Sequence, residues 1–391
     1  MTSYRELENG CESGETKENG DSSIAKNAIG KGESSFSKDT IEQIGLTAIQ
    51  FFSSVLRAYG QVVFSDSYLS GALVLIGAFV GNVEAAAYSL LGTFAATATA
   101  FYLFTSSNHA TQHGLYGFNA QLIGMALSIF SGGENDAAWQ IFLQRPILVF
   151  VLSVVSVLLC DSISALLGNR GQPDSGGLRL PYLTLPFNVL VVVFLGGAVT
   201  YSKWSLSATW AAHVPTAGDH DNISVCLRSA VDGDCSNGAD LLRDLVIALL
   251  HGISEIFILS NVWSGAAVLF GIAAYSPSLA AWAVGGSAIG IAWASALGCD
   301  GYQIYQGLYG YNPALTTMAI GGGVFVAKGW PSRGAALIGG ILSAAMFGTL
   351  GTIMGTWGSP CFTLPFCFAT LLVMPARREE TRENGQIRWT F

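Results

Sequence analysis

The chain contains little charge for its length. Only 11% of its 391 residues are Asp, Glu, Lys or Arg, whereas a soluble globular domain carries about 25%. Hydrophobic residues make up 51% of the sequence, and the mean hydropathy is +0.47. Because so few charged groups cannot cover the surface of a soluble domain of this size, the composition predicts an integral membrane protein whose solvent is the lipid bilayer.

Basic stripes, metal-ligand motifs and nucleophile motifs are missing as well. The 18 Lys and Arg residues lie mostly in loops and tails, which excludes a nucleic-acid partner. The five histidines and seven cysteines follow no metal-ligand spacing, and no nucleophile–His–acid set is visible. The Gly-rich runs lack the Lys-Ser/Thr of a phosphate loop. The sequence therefore predicts neither an enzyme nor a bound cofactor.

Polar segments divide the chain into a tail, two apolar regions, a loop and a second tail. Residues 1–43 are rich in Gly, Ser and Glu, which predicts a disordered tail. Residues 44–202 and 241–376 are predicted to be two membrane repeats, joined by the polar loop 203–240. Arginines in the tail 377–391 indicate the cytoplasmic side. An odd number of crossings in each repeat then puts both termini in the cytoplasm and the loop outside the cell.

The inter-repeat loop contains Asn222-Ile223-Ser224, which is a glycosylation acceptor pattern. Cys226 and Cys235 lie nearby and are candidates for a disulfide in an oxidising compartment. Both features are typical of an outward-facing loop.

The two apolar regions repeat the same motifs in the same order. Gly-Leu-Tyr-Gly-Phe-Asn at residues 114–119 recurs as Gly-Leu-Tyr-Gly-Tyr-Asn at residues 307–312. Thr-Leu-Pro-Phe at residues 184–187 recurs at residues 363–366. Duplication in an apolar chain is typical of transporters and channels whose site lies where the two repeats meet.

A polar residue precedes a break in the first apolar segment of each repeat. Gln61 lies before Ser65-Asp66-Ser67, and Glu255 lies before Ser260-Asn261. Because irregular backbone at membrane depth is tolerated where it lines a path or is buried in protein, we interpret both breaks as re-entrant or interrupted helices beside a pathway. Glu255 in an apolar segment costs about 2.5–3.5 kcal/mol, so it is expected to face a cavity. The alternative is a structural role, either in an ion pair, for which Arg243 is the candidate partner, or in a helix cap.

These motifs, with Leu-Pro-Tyr-Leu-Thr-Leu-Pro-Phe-Asn at 180–188 and Phe-Thr-Leu-Pro-Phe-Cys at 362–367, resemble the signatures of the urea transporters. The resemblance covers roughly residues 44–376. It implies an all-α membrane protein of two inverted repeats, each with about five transmembrane helices and one re-entrant half-helix. It also implies that each protomer of a homotrimer has its own pore. The sequence departs from the family where Asn-Pro usually precedes Ser-Gly, because Tyr68-Leu69 and Val262-Trp263 stand there.

The repeats and the resemblance together predict the substrate pathway. Thr184 and Thr363 each precede Leu-Pro, and their hydroxyls are expected to face each other at the pore centre. The resemblance implies that matched aromatic and leucine positions line a narrow slot. The predicted pathway residues are Gln61, Val62, Phe64, Phe118, Leu122, Thr184, Glu255, Ile256, Phe257, Tyr311, Leu315 and Thr363.

The resulting functional prediction is passive, selective permeation of urea down its gradient across the plasma membrane. One alternative is a proton- or sodium-coupled carrier of urea or small amides, which would use Glu255. Another is an ammonia or water channel. No histidines occur at matched positions of the two repeats, which disfavours ammonia conduction through a histidine pair.

Overall fold

The computed structural model describes residues 32–104, 108–131, 143–168, 180–198, 238–326, 328–374, 379–383 and 386–390. The chain divides into two compact units, residues 1–47 and 48–391. The predicted glycosylation site Asn222 and the pair Cys226 and Cys235 lie outside the described residues.

Seven helices are described in the first repeat. They are α1 (Gly32–Gln61), α2 (Tyr68–Gly81), α3 (Val83–Phe104), α4 (His109–Gln112), α5 (Gly117–Phe130), α6 (Arg145–Leu166) and α7 (Leu185–Ala198).

The second repeat has the same order of elements. Its described helices are α8 (Gly238–Ser254), α9 (Val262–Tyr275), α10 (Pro277–Ala296), α11 (Gly301–Tyr305), α12 (Tyr311–Gly321), α13 (Trp330–Gly355) and α14 (Leu364–Val373). A 3₁₀ turn, Glu255–Phe257, follows α8 directly. The motif repeat seen in the sequence is therefore also a repeat of helices, from α1 and α8 through α7 and α14.

The polar breaks predicted from the sequence are present in both repeats. In the second repeat the chain bends by 76° between the α8 segment and α9. The side chain of Ser67 accepts the Ser70 N–H at the start of α2, and Asn261 accepts the Ser264 N–H at the start of α9. These polar N-caps satisfy backbone donors at the first turn, so both helices begin without the proline that the family places there.

The two broken-helix segments pack against each other at small residues. A Cβ on Gly77 of α2 would lie 3.2 Å from the Ala267 Cβ on α9, and a Cβ on Gly271 of α9 would lie 3.1 Å from the Ser70 carbonyl oxygen on α2. Small residues allow helices to approach closely inside a membrane protein. Because Gly77 and Gly271 are matched positions, each repeat contributes the same surface to this contact.

The described apolar helices are of two lengths. Among the described residues, α3, α6, α10 and α13 are long and apolar enough to cross a bilayer, and the bent pair of α8 and α9 is a fifth if it counts as one span. The shorter apolar helices α2, α5, α7 and α14 have 10 to 14 residues. They are short because the polar breaks, the Gly-Leu-Tyr-Gly motif and Thr-Leu-Pro-Phe each begin a new helix.

Both predicted tails contain regular structure. Helix α1 begins at Gly32, so its first turns lie within residues 32–43 of the predicted tail. A helix nucleated in an apolar segment extends at low cost, because each added residue gains a hydrogen bond. The C-terminal tail forms an antiparallel hairpin of β1 (Glu379–Glu383) and β2 (Gln386–Thr390). Asn384-Gly385, a strong hairpin signal, stands between the strands, so the helical class applies to the apolar body.

Candidate functional site

Thr184 and Thr363 meet in the centre of the apolar body. Their hydroxyl oxygens are 2.7 Å apart, and each residue is 3% exposed. The preceding residues, Leu183 and Phe362, have left-handed backbone with φ of 50° and 44°. A left-handed conformation costs about 1–2 kcal/mol for a residue with a Cβ. The same strained left-handed turn therefore comes directly before each of the two threonines.

Two matched asparagines hold these strained turns. Asn119 donates to the Leu183 carbonyl oxygen at 3.3 Å and accepts the Phe187 N–H at 3.1 Å. Asn312 does the same in the second repeat, where it donates to the Phe362 carbonyl at 3.1 Å and accepts the Phe366 N–H at 3.0 Å. Both asparagines are fully buried. They act by fixing the backbone that presents the threonines.

Asn188 and Cys367 flank the threonine pair and break its symmetry. Each lies four residues after a threonine, one in each repeat. The Asn188 amide nitrogen lies 2.8 Å from the Thr184 carbonyl oxygen and 2.8 Å from the Thr363 hydroxyl. The Cys367 sulfur lies 3.2 Å from the Thr184 hydroxyl. Neither residue is among the predicted pathway residues, although the Thr-Leu-Pro-Phe repeat places Asn188 and Cys367 at matched positions.

Gln61 at the end of α1 and Glu255 in the 3₁₀ turn after α8 lie near equivalent carbonyl groups but contact them differently. Gln61 donates directly to the His113 carbonyl oxygen at 2.9 Å. Glu255 accepts a hydrogen bond from Ser260, whose hydroxyl lies 3.1 Å from the Gln306 carbonyl oxygen. A carboxylate has no proton to donate to a carbonyl, and the single Ser260 hydroxyl hydrogen can serve only one of these two acceptors at a time, so Ser260 lies between them as a shared donor.

Arg243 forms its ion pairs with acids other than Glu255. Its guanidinium lies 3.5 Å from the Asp240 carboxylate and 3.1 Å from the Asp244 carboxylate. The alternative of a structural pair between Arg243 and Glu255 is therefore wrong. Glu255 is 5% exposed and is one of the groups that line the cavity described below.

An ionic cluster lies in the first repeat beside Gln61, the last residue of α1. The Asp66 carboxylate is 3.0 Å from Arg57 and 2.5 Å from the His113 ring. Arg57 also contacts that ring at 3.1 Å, and the His109 ring stacks on it with a centroid distance of 4.0 Å. Since Gln61 binds the His113 carbonyl, the cluster fixes the loop that positions Gln61.

A cavity of about 470 Å³ leads to the threonine pair from the second repeat. Glu255, Ile256, Tyr311 and Thr363 of the predicted pathway line it. Its other walls include the aromatic residues Phe130, Phe187, Tyr309, Phe347 and Phe362. Flat apolar walls with a few polar groups are typical of a site for a small polar molecule.

The remaining predicted pathway residues lie in the hydrophobic core or in contacts between aromatic rings. Val62, Leu122 and Leu315 are buried in one core cluster with Phe118 and Phe257. The Phe118 ring stacks on Tyr182 with a centroid distance of 5.9 Å, and the Phe64 ring packs edge-on against Phe325 at 5.7 Å.

The left-handed turns after Gln61 and Glu255 identify the counterpart of Phe64. Phe64 and Ile258 occupy matched positions with φ of 60° and 59°. Ile258 lines the cavity, whereas Phe257 is completely buried in the core. Ile258 is thus the counterpart of Phe64. The sequence contained this signal, because Ile258 lies as far beyond Glu255 as Phe64 lies beyond Gln61.

Residues 52–378 match the profile of the family described as "Urea transporter". The chain belongs to the urea transporter family. It is 31% identical over 329 residues to "Urea transporter 1" of Capra hircus and equally identical over the same length to that of Ovis aries, with 84% of this chain and 77% of each relative covered. Identity to "Urea transporter 1" of Mus musculus is 30% over 328 residues, covering 83% of this chain and 77% of the relative.

The matched region of this urea transporter family member contains the whole candidate site. It begins before Gln61 and ends after Cys367. Both polar breaks, both Thr-Leu-Pro-Phe motifs and the lining of the cavity therefore lie in the part of the chain that identifies the family.

Proposed function

We propose that this chain is an integral membrane protein that conducts urea passively and selectively down its gradient, and that it is not an enzyme. The observation that carries the proposal is the buried Thr184–Thr363 hydroxyl pair, with one threonine from each repeat, 2.7 Å apart. Family membership and the names of the relatives support urea as the substrate.

The chemistry of the site suits a small, flat, neutral molecule with N–H donors. Urea has four N–H groups and one carbonyl oxygen, and it loses hydrogen bonds with water when it enters a dry passage. An unmade hydrogen bond costs about 1–3 kcal/mol, and the threonine oxygens offer acceptors where the passage is driest. An ion would lose far more, because a bare charge in an apolar medium costs tens of kcal/mol.

We propose that the pathway runs from the Gln61 end, past the threonine pair, through the cavity beside Glu255. The residues expected to line it are those predicted from the sequence, except that Ile258 takes the place of Phe257 on the Glu255 side. Tyr311 supports this path, since its hydroxyl donates to the Phe362 carbonyl at 2.6 Å at the inner wall of the cavity.

The architecture proposed with this function has two inverted repeats, residues 44–202 and 241–376. The matched contact between α2 and α9 supports a pseudo-twofold relation between them. We further propose a homotrimer in the plasma membrane with both termini in the cytoplasm. The loop 203–240 would then be extracellular, with Asn222 as a glycosylation acceptor.

Stopped-flow light scattering on proteoliposomes tests the proposed function. Thr184→Val and Thr363→Val each keep the size of the side chain and remove one hydroxyl. We expect each substitution to slow urea uptake about 5- to 20-fold, because losing one hydrogen bond to the permeant raises the barrier by about 1–1.8 kcal/mol. Uptake by the unsubstituted protein no faster than in empty liposomes would overturn the proposal.

A coupled carrier is the second candidate, because Glu255 is a buried carboxylate at the cavity. The two mechanisms differ in their response to an imposed proton or sodium gradient. A passive pathway lets urea equilibrate at a rate that the gradient does not alter. Accumulation of urea above its external concentration would instead establish coupling.

A further inference from the structure

We propose that Asn188 is a positioning residue that orders the hydroxyl hydrogens of the Thr184–Thr363 pair. The pathway then meets oxygen lone pairs instead of O–H groups, which selects permeants that donate N–H bonds. This inference rests on the proposed function, because it concerns how the centre of the same pathway recognises urea.

The orientation of the Asn188 amide is fixed by its backbone partners. Its oxygen lies 3.1 Å from the Thr363 backbone nitrogen, which can only donate. Its nitrogen lies 2.8 Å from the Thr184 carbonyl oxygen, which can only accept. A flipped amide would place the Asn188 nitrogen against the Thr363 N–H, and the Asn188 oxygen against the Thr184 carbonyl oxygen. The second amide hydrogen therefore points at the Thr363 hydroxyl oxygen, 2.8 Å away.

This first bond decides the direction of the remaining ones. Because Thr363 accepts from Asn188, its own hydrogen is available to donate to the Thr184 hydroxyl at 2.7 Å. The Thr184 hydrogen then points at the Cys367 sulfur at 3.2 Å. In the reverse arrangement Thr363 would accept twice and its hydrogen would have no partner in a buried setting, which is the more costly state.

The difference between the repeats gives the chain of bonds a single direction. Asn188 and Cys367 are matched positions, and an asparagine at both would give each threonine oxygen an amide donor. The two hydroxyls would then compete to donate to each other, and one hydrogen would be left over. A thiol is a weak acceptor and serves as the end of the chain.

The ordered pair presents one acceptor from each threonine. The Asn188 nitrogen also lies 3.3 Å from the Thr184 hydroxyl, but its two hydrogens go to the nearer Thr184 carbonyl and Thr363 hydroxyl, each at 2.8 Å. Each hydroxyl oxygen then receives one hydrogen bond and gives one away, so one lone pair of each oxygen remains. Thr363 lines the cavity, which brings its lone pair to the pathway. Urea fits this arrangement because its N–H groups need acceptors, whereas water can pass by donating or by accepting.

The test measures urea and water permeability of the same proteoliposomes and compares their ratio between variants. Asn188→Leu removes the donor that starts the chain, and Cys367→Ala removes the acceptor that ends it. We expect each to lower the ratio of urea to water permeability about 2- to 10-fold, since one ordered hydrogen bond is at stake. Cys367→Ser should restore the ratio, because a serine oxygen accepts the same hydrogen.

Two controls separate positioning from damage to the fold. Cys299→Ala makes the same change at a thiol in a different core cluster and should leave both permeabilities unchanged. Asn188→Leu also leaves the Thr363 N–H and the Thr184 carbonyl unpaired, so misfolding would show as altered elution of the purified protein. In that case the decision passes to Cys367→Ala and Cys367→Ser.

The outcomes distinguish this inference from the proposed function. If the unsubstituted protein conducts urea but the variants keep its ratio of urea to water permeability, or lose both permeabilities equally, the positioning role is wrong and the urea pathway stands. If the unsubstituted protein conducts no urea, both proposals fall. A ratio that drops in Cys367→Ala and returns in Cys367→Ser supports the ordered chain.

Discussion

Replacing Glu255 separates the contribution of its hydrogen bonds from that of its charge. The matched residue in the first repeat is Gln61, which reaches the His113 carbonyl directly. In Glu255→Gln the new amide can donate to Ser260, whose hydroxyl can donate onward to the Gln306 carbonyl at 3.1 Å. Both contacts of Ser260 are therefore kept in the variant, with the hydrogen bond between residues 255 and 260 reversed in direction, and the negative charge is lost.

The size of the expected effect follows from the kind of hydrogen bond that a permeant makes here. A hydrogen bond to a charged group contributes about 1.5–3 kcal/mol, and a neutral one contributes about 0.5–1.5 kcal/mol. Glu255→Gln should therefore slow urea permeation roughly 5- to 10-fold. Glu255→Leu removes the acceptor altogether and should slow urea permeation roughly 10- to 150-fold.

Stopped-flow urea uptake measures both variants, with and without an imposed pH gradient. Thermal unfolding of the purified proteins serves as the control for the fold. A loss beyond about 100-fold in Glu255→Gln with an intact fold would mean that the carboxylate itself is required, as in a coupled carrier. Unchanged uptake in Glu255→Leu would mean that the side chain does not contact the permeant.

Two further substitutions test the framework around the site. Gly71→Ala would place a Cβ 1.7 Å from the Leu56 carbonyl oxygen. We therefore expect thermal unfolding to show a free energy of unfolding lowered by about 3 kcal/mol or more. Gly285→Ala is the control, because its new Cβ meets nothing within 4 Å. Burial and the neighbouring His113 lower the pKa of His109, so the native state loses stability as pH falls below about 6.5. His109→Gln should flatten this loss between about pH 7.5 and about pH 5, and an equal loss in the variant would contradict the assignment.

Local chemistry explains why the sequence was sufficient for the helix interruptions and the threonine pair. The Ser65–Ser67 and Ser260-Asn261 breaks are visible because polar residues interrupt long apolar segments. The position of Thr184 and Thr363 follows from a proline that fixes the backbone after each. These signals lie within a few residues of the feature that they predict, and the duplication repeats them.

The partners of those residues were not predictable from local patterns. The hydrogen bond from Ser260 to Glu255 depends on a left-handed turn at Ile258. Asn188 lies four residues from Thr184, yet its amide also reaches Thr363 in the other repeat, 175 residues away in sequence. Ile258 as the counterpart of Phe64 depends on the same left-handed turn, because a one-residue difference at a tight turn decides whether a side chain lies in the lining, like Ile258, or in the core, like Phe257.

The sequence by itself determined that the protein lies in a bilayer, that it is duplicated, and where its helices break. Composition decides the solvent, and single residues decide where a backbone ladder ends. Only the tertiary structure decided which polar atoms meet at the centre. The hydroxyls of Thr184 and Thr363 are 179 residues apart in sequence and 2.7 Å apart in space, because packing of one repeat against the other brings two strained turns together.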